Sequence, residues 1–207
     1  MPQDERPEAT IDVLRYAVFE TDLGRFLLVR SDAGLRAVRF AKELDVDREL
    51  AALTRPTGAM AVEDRIGLRR VADDIRDYLG GRAVVFDYAL DLSGTTEFGR
   101  SVLAVARRIP FGSLRSYKSV ATEIGSPRAT RPVGQSLAHN PLPIVIPCHR
   151  VVNSDGTLGG YSGGGTDMKR RLIELENGQI GLALAGRPKE FRERVRFLLE
   201  SESGEGD

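Results

Sequence analysis

The sequence predicts a mixed α/β fold, more exactly α+β, in which a small domain of strands and helix precedes a mainly helical domain. Apolar runs of strand length occur between residues 16 and 40, and after residue 94 apolar residues recur at helical spacing. With 207 residues, 41% of them hydrophobic and 29% charged, the chain can bury a core. The predicted parts are a flexible terminus over 1–10, an α+β domain over 11–93, a helical domain over 94–178 and an extension over 179–207.

The N-terminal domain begins with three apolar runs between residues 16 and 40. Asp-Leu-Gly and Asp-Ala-Gly separate these runs, which predicts a three-stranded meander. Apolar residues near helical spacing predict a helix over 62–79, ended by Gly80-Gly81. A strand-like pattern returns over 83–92, so the domain is expected to end near residue 93.

Three helices are predicted in the second domain. Thr95 or Thr96 caps a helix that runs to residue 108, and Ser116 caps a helix over 117–124. After a turn, Thr130 is expected to cap a third helix that ends near residue 138. Two short helices joined by a tight turn are typical of a helix-turn-helix, although an ordinary αα-hairpin has the same pattern.

The charge distribution favours a polyanionic partner for this helical region. The formal net charge is zero, but residues 1–91 carry 14 basic and 18 acidic side chains, whereas residues 92–178 carry 11 and 6. Between residues 100 and 150, eight basic residues accompany a single acidic one, Glu123. DNA fits such a segment, although an ordinary solvated surface remains the alternative.

The rest of the composition excludes several classes of protein. One cysteine and two histidines give neither an intrachain disulfide nor a zinc cluster, so we expect no metal and no cofactor. No apolar stretch has the length of a membrane span, and the polar start lacks the pattern of a secretory signal. We therefore expect a cytoplasmic protein, with a disordered C-terminal end and an amphipathic helix near 188–199.

Cys148 is the candidate nucleophile. It follows a short apolar strand predicted over 143–147 and lies beside His149 and Arg150, whose positive charge favours a lower thiol pKa. His149 could act as a base that is oriented by Glu176, on a helix predicted over 168–176. Neighbouring residues of a strand point to opposite faces, so contact between cysteine and histidine needs a kink or a bridging water. An inert buried cysteine is the alternative.

The segment Asn-Pro-Leu-Pro-Ile-Val-Ile-Pro-Cys-His-Arg-Val-Val over 140–152 closely resembles the signature of the O6-alkylguanine-DNA alkyltransferases. The resemblance is strong over residues 95–178 and extends to Ser116-Tyr117, to Arg131-Pro132-Val133-Gly134 and to Gly-Tyr-Ser-Gly-Gly over 160–164. It implies an RNase H-like N-terminal domain, followed by a winged helix-turn-helix-like domain that holds the active site.

The resemblance also implies a repair reaction in which the protein is consumed. The alkyl group of O6-alkylguanine, and also of O4-alkylthymine, would pass irreversibly to Cys148 in a single turnover. His149 would deprotonate the thiol through a water, Glu176 would orient the histidine, and Asn140 would brace the turn beside the cysteine. The expected partner is double-stranded DNA that carries the lesion, bound by a monomer that associates with the nucleoid.

Further roles follow from matching positions in the family's motifs. Tyr117 would donate a proton to the departing base, the backbone of Val151 would bind the guanine amino group, Tyr161 would form a pocket wall, and Ser162 would donate towards O6. Arg131 would fill the gap left by a nucleotide that is flipped out of the duplex. The resemblance gives backbone-contact positions at Lys118, Ser126 and Ser154.

Three other classes compete with this interpretation. Alkyltransferase-like proteins bind lesions without repairing them, but they carry another residue where this chain has Cys148. A transcription regulator would need a base-reading helix rich in Asn, Gln and Arg, whereas residues 131–138 are mostly small and apolar. A cysteine hydrolase would need an oxyanion hole, for which the sequence has no recognisable motif. Pro132 departs from the family pattern in the helix that would carry Arg131, and Gly165 departs from it in the pocket loop, the glycine-rich stretch over 154–167.

Overall fold

The computed structural model describes residues 12–41 and 43–177, together with residues 193, 195 and 196. The predicted flexible terminus over 1–10 lies outside the described residues. So do most of the extension over 179–207, its expected disordered end and most of the helix predicted near 188–199.

A four-stranded sheet forms the N-terminal part of the molecule. Strands β1 (Val13–Thr21), β2 (Gly24–Ser31) and β3 (Gly34–Ala41) pair antiparallel, which confirms the predicted meander. A fourth strand, β4 (Met60–Glu63), pairs parallel with β1 at one edge, giving the order β3-β2-β1-β4. Side chains alternate between the two faces of this sheet, and each face is covered by its own apolar cluster.

Two helices accompany the sheet, and the sequence patterns located them only in part. Helix α1 (Val46–Thr54) was not predicted, although Asp45 caps it by accepting a hydrogen bond from the Arg48 amide at 3.0 Å. Helix α2 (Arg69–Leu79) is shorter than the helix predicted over 62–79. The prediction was wrong at its start because pairing with β1 draws residues 60–63 into the sheet edge.

The strand predicted over 83–92 is wrong. The segment runs extended, but its sheet pairing is limited to one bridge between Leu35 and Leu90. The Leu35 amide donates to the Ala89 carbonyl at 2.8 Å, and the Asp91 amide donates to the Leu35 carbonyl at 2.9 Å. The alternating polarity of residues 83–92 therefore comes from an extended segment that lies along the protein surface. This segment does not form a full ladder of hydrogen bonds with the sheet.

The second part of the molecule is mainly helical, as predicted. Its helices are α3 (Glu97–Arg107), α4 (Tyr117–Glu123), α5 (Thr130–Ala138) and α6 (Gly165–Glu176). Thr96 and Ser116 cap the first two by accepting hydrogen bonds from backbone amides. Thr130 is the first residue of α5, and its side chain does not cap the helix. Two short strands, β5 (Arg115–Ser116) and β6 (Val151–Val152), pair parallel beside them.

One apolar cluster connects the two parts of the molecule. It joins one face of the sheet and helix α2 to helices α3 to α5 and to the segment around Cys148. The boundary predicted near residue 93 therefore separates two sequence patterns that share a common core. Among the described residues, no helix combines the length and apolarity that a membrane crossing requires.

Candidate active site

Cys148 begins a short 3-10 helix, Cys148–Arg150, at the centre of the molecule. The strand predicted over 143–147 is wrong: this segment folds into a turn closed by a bridge between Pro143 and Ile146. Ile144 has a φ of +75°, which a β-branched residue adopts only where surrounding structure enforces it. The turn directs the cysteine inward, and only 3% of the residue is exposed.

Asn140 holds this turn from within. Its side-chain nitrogen Nδ2 lies 2.8 Å from the Ile146 carbonyl and 3.1 Å from Cys148 Sγ, and its Oδ1 accepts from the Leu142 amide at 3.0 Å. One buried side chain therefore fixes both ends of the turn and points a hydrogen-bond donor at the sulfur. A donor at this position stabilises a thiolate more than a thiol.

His149 and Glu176 form a buried pair next to the cysteine. His149 Nε2 lies 2.7 Å from Glu176 Oε1, and the histidine is fully buried. Burial lowers the pKa of His149, and the hydrogen bond that the ring donates to the Glu176 carboxylate opposes that change. Nδ1 of the same ring is buried and has no hydrogen-bond partner among the described residues.

Arg150 contacts Glu176 and does not face the cysteine. Its Nε lies 2.9 Å from Glu176 Oε2, its Nη2 lies 2.9 Å from Oε1, and its Nη1 donates to the Ile109 carbonyl at 2.5 Å. The Gly112 amide also donates to Oε2, at 3.1 Å. Burial would raise the pKa of Glu176, but the hydrogen bonds and charges of His149 and Arg150 lower it to about 2. The carboxylate is therefore ionised at neutral pH.

The low thiol pKa expected from positive neighbours is not found in the free protein. Burial raises the pKa of Cys148 and outweighs the Asn140 hydrogen bond and the charge of Lys169, both of which lower it. Sequence adjacency suggested Arg150 as the relevant cation, but its guanidinium is committed to Glu176. In the resting protein the thiol therefore needs a base to remove its proton.

Lys169, on α6, is fully buried beside Tyr117. Its Nζ donates to the Val151 carbonyl at 2.7 Å, to the Leu158 carbonyl at 2.5 Å and to Tyr117 Oη at 3.1 Å. Burial lowers the pKa of Lys169 to about 8. The lysine thus connects β6, the following loop and the first residue of α4.

Tyr117 lies against the glycine-rich loop. A side chain at Gly159 would approach Tyr117 Oη to 2.8 Å, and Gly159 has a φ of +67°, so both space and backbone conformation require glycine there. Burial and the negative charge of a Cys148 thiolate raise the pKa of Tyr117 to about 12. The phenol is consequently protonated at neutral pH and can donate.

The other predicted pocket residues lie directly after the 3-10 helix and on the glycine-rich loop. Tyr161 is buried, and its ring meets that of His149 edge-on with centroids 6.4 Å apart. Its hydroxyl is buried and has no partner among the described residues. Val151 is fully buried and directly follows the 3-10 helix, whereas Ser162 is exposed on the loop.

The predicted DNA-contact residues lie on the molecular surface. Arg131 is exposed on the first turn of α5, and no hydrogen bond or ion pair holds its side chain within the described part of the chain. Lys118 and Ser154 are exposed, and Ser126 is half-buried in the turn between α4 and α5. Helix α5 ends two residues before Asn140, so it connects this surface directly to the cysteine turn.

The N-terminal sheet also supports the cysteine turn. The Val38 amide and Arg39 Nη1 both donate to the Pro141 carbonyl, at 2.9 and 2.8 Å. A side chain at Gly163 would meet the Phe40 ring at 2.9 Å, so β3 packs directly against the pocket loop. No pattern in the sequence indicated these contacts between the two parts.

Known proteins resemble the chain over most of its described length. Residues 97–178 match the family model described as 6-O-methylguanine DNA methyltransferase, DNA binding domain. A methylated-DNA–protein-cysteine methyltransferase of Methanosarcina barkeri is 37% identical over 165 residues, which cover 80% of this chain and 98% of the relative. The chain belongs to the methylated-DNA–protein-cysteine methyltransferase family. A Bacillus subtilis member is 32% identical over 78% of the chain and 94% of its own length.

The fold of this methyltransferase agrees with solved structures. A Mycobacterium tuberculosis OGT in complex with DNA superposes with a TM-score of 0.65 at 32% identity, covering 80% of this chain and 92% of that one. An O6-methylguanine-DNA methyltransferase of Pyrococcus kodakaraensis shares the fold, with a TM-score of 0.59 at 22% identity. The α+β fold with a helical DNA-binding part is thus confirmed. The protein is a DNA-binding methyltransferase of DNA repair.

Two residues of the candidate site carried no predicted role. Lys169 belongs to the matched motif, but its burial and its bonds to the pocket backbone could not be read from spacing. Tyr78 lies outside the motif, on α2, yet its hydroxyl donates to Glu176 Oε1 at 2.7 Å. The sequence holds one signal for it, since Tyr78 shares the apolar face of α2 with Val71 and Ile75.

Proposed function

We propose that the protein removes the alkyl group from O6-alkylguanine, and from O4-alkylthymine, by transferring it irreversibly to Cys148. The observation that carries the proposal is the buried thiol, 3.1 Å from an Asn140 donor and next in sequence to a buried histidine–carboxylate pair. A thiolate is a strong nucleophile, and the burial that raises its pKa makes a base necessary.

The proton balance of the transfer follows from the tautomer of His149. Glu176 is ionised and can only accept, so Nε2 carries the ring proton and Nδ1 keeps its lone pair. In our proposal Nδ1 takes the thiol proton through a bridging water. The Cys148 sulfur then forms a bond to the alkyl carbon as the bond between this carbon and guanine O6 breaks. Tyr117 protonates the departing base.

The thioether that forms at Cys148 has no leaving group that water could displace under ordinary conditions. We therefore propose that each molecule reacts once and that the reaction is stoichiometric. The Val151 backbone, Tyr161 and Ser162 bind the guanine in this proposal. Val151 directly follows the 3-10 helix, the Tyr161 ring lies against that of His149, and Ser162 is the next residue on the exposed loop. No cofactor takes part in any of these steps.

Access to the cysteine requires base flipping. Cys148 is 3% exposed, and a base stacked in a duplex cannot reach a buried sulfur. We propose that α5 approaches the minor groove and that Arg131 enters the base stack in place of the flipped nucleotide. Lys118, Ser126 and Ser154 hold the DNA backbone in this arrangement. The protein acts as a monomer in the cytoplasm, associated with the nucleoid while it is bound to DNA.

Replacement of Arg131 separates flipping from chemistry. We expect Arg131→Ala to slow repair of O6-methylguanine in a duplex about a hundred-fold, since unstacking a base costs a few kcal/mol. Reaction with free O6-benzylguanine, which needs no flipping, should stay within about two-fold of the wild type. Single-turnover rates on the two substrates give this comparison.

Arg128→Ala is the matched control, because Arg128 is also exposed, precedes the same helix and carries the same charge. Its loss should weaken DNA binding modestly and leave the ratio of the two rates unchanged. An equal loss on both substrates in Arg131→Ala would mean that Arg131 supports the pocket and does not stabilise the flipped state.

A further inference from the structure

Tyr78 brings a hydroxyl group from the N-terminal part of the molecule into the proposed proton relay. Its Oη lies 2.7 Å from Glu176 Oε1 and 3.1 Å from His149 Nε2. The residue is fully buried, and the rings of Phe86 and Phe111 pack edge-on against it with centroids 6.0 and 6.1 Å away. The phenol is therefore held in one orientation by packing on helix α2.

The Tyr78 hydroxyl donates its single proton to Glu176. Burial and the charge of Glu176 raise the pKa of Tyr78 well above its ordinary value, so the hydroxyl keeps its proton at neutral pH. An ionised carboxylate can only accept, so the Tyr78 proton points to Glu176 Oε1. The oxygen of Tyr78 then faces His149 Nε2 with a lone pair.

Two acceptors consequently converge on one ring nitrogen of His149. Glu176 Oε1 lies 2.7 Å from Nε2 and Tyr78 Oη lies 3.1 Å from it, and both stabilise a proton on that atom. A proton fixed on Nε2 leaves the lone pair on Nδ1, the nitrogen that no described residue contacts through a hydrogen bond. The tautomer that can accept the thiol proton is thereby selected before substrate arrives.

We propose that Tyr78 is a positioning residue of the transfer reaction, which orients Glu176 and, together with Glu176, holds His149 in the Nε2–H tautomer. This inference rests on the proposed function, because it assigns His149 as the base that serves Cys148. It also gives the N-terminal part a role in reactivity, since α2 supplies a contact that the residues matched to the DNA-binding family model, 97–178, lack.

Nuclear magnetic resonance of ¹⁵N-labelled histidine tests the proposal in the free protein. The chain has only two histidines, and ¹⁵N shifts distinguish the two ring tautomers of each. His139 is an internal reference: its Nδ1 lies 2.8 Å from the Gln135 carbonyl, so that nitrogen carries the proton. In the wild type we expect His149 in the opposite form, Nε2–H.

Tyr78→Phe keeps the buried ring and removes only the hydroxyl. We expect its His149 Nε2 resonance to shift, because the Nε2–H group loses one of its two acceptors, and its alkyl-transfer rate to fall about five- to ten-fold, as the loss of one hydrogen bond predicts. Tyr88→Phe is the matched control, because the Tyr88 hydroxyl donates to Asp74 away from the site. The control should change neither His149 nor the rate, and His139 should be constant throughout.

A wild-type His149 in the Nδ1–H form would overturn the proposal without recourse to any variant. An unchanged His149 spectrum or an unchanged rate in Tyr78→Phe would overturn it as well. Failure of the wild type to accept an alkyl group would instead refute the proposed function, and the tautomer would still be measured independently.

Discussion

Cys148→Ser is expected to abolish alkyl transfer while leaving duplex binding intact. The chain has a single thiol, so this variant has no other cysteine to accept the group. A hydroxyl preserves a hydrogen-bond acceptor for Asn140, but a serine is a far weaker nucleophile than a cysteine at neutral pH. O6-methylguanine in a synthetic duplex should remain unrepaired after prolonged incubation, as digestion and chromatography of the DNA would measure.

Binding to the same duplex supplies the control for this variant. The surface that carries Arg131 and Lys118 is unchanged by a substitution inside the protein, so the dissociation constant should stay within about three-fold of the wild type. Repair by Cys148→Ser at a rate near the wild type would contradict the assignment of the cysteine. Loss of both DNA binding and repair would indicate a folding defect, which a lower denaturation midpoint would reveal.

Glu176→Gln is expected to slow transfer about a hundred-fold, the scale of general-base contributions to catalysis. The carboxylate binds His149, Arg150 and Tyr78, and a neutral amide can hold neither the tautomer nor the charge of the imidazolium that forms. The variant should also lose stability, by about 3 kcal/mol or more, because the buried Arg150 loses its counter-charge. Single-turnover rates and denaturant titrations give the two quantities.

Glu123→Gln is the matched control for this change. Glu123 also pairs with two arginines, Arg108 and Arg115, but these pairs lie at the surface, where the contribution of an ion pair is about 0–1 kcal/mol. The control should therefore transfer alkyl groups at the wild-type rate. If Glu176→Gln lost stability but reacted at the wild-type rate, Glu176 would have a structural role only.

The sequence predicted best those elements whose signals are local. Thr96 and Ser116 marked the starts of α3 and α4 because a capping side chain acts within three residues of its own position. The strand predicted over 83–92 was wrong because sheet pairing depends on distant partners, and this segment reaches only Leu35. Residues 60–63 were predicted as helix but form a strand, because the distant strand β1 pairs with them.

In the candidate site too, features set by local sequence were predicted and features set by distant contacts were not. Its chemical groups followed from one short motif, whereas their electrostatics depended on three-dimensional contacts. Arg150 is adjacent to the cysteine in sequence but binds Glu176, and Lys169, 21 positions after Cys148, is the cation whose charge acts on the thiol. Tyr78 was missed because it lies far from the motif and reaches the site only through the packing of α2.

Intact-mass spectrometry of the wild-type protein is the most direct test of alkyl transfer to Cys148. After incubation with excess duplex that carries one O6-methylguanine, each molecule should gain one methyl group, located on Cys148 by peptide mapping. The repaired guanine should equal the protein in moles, however long the incubation. Methylation at another residue, or more than one lesion repaired per molecule, would contradict irreversible transfer to this cysteine.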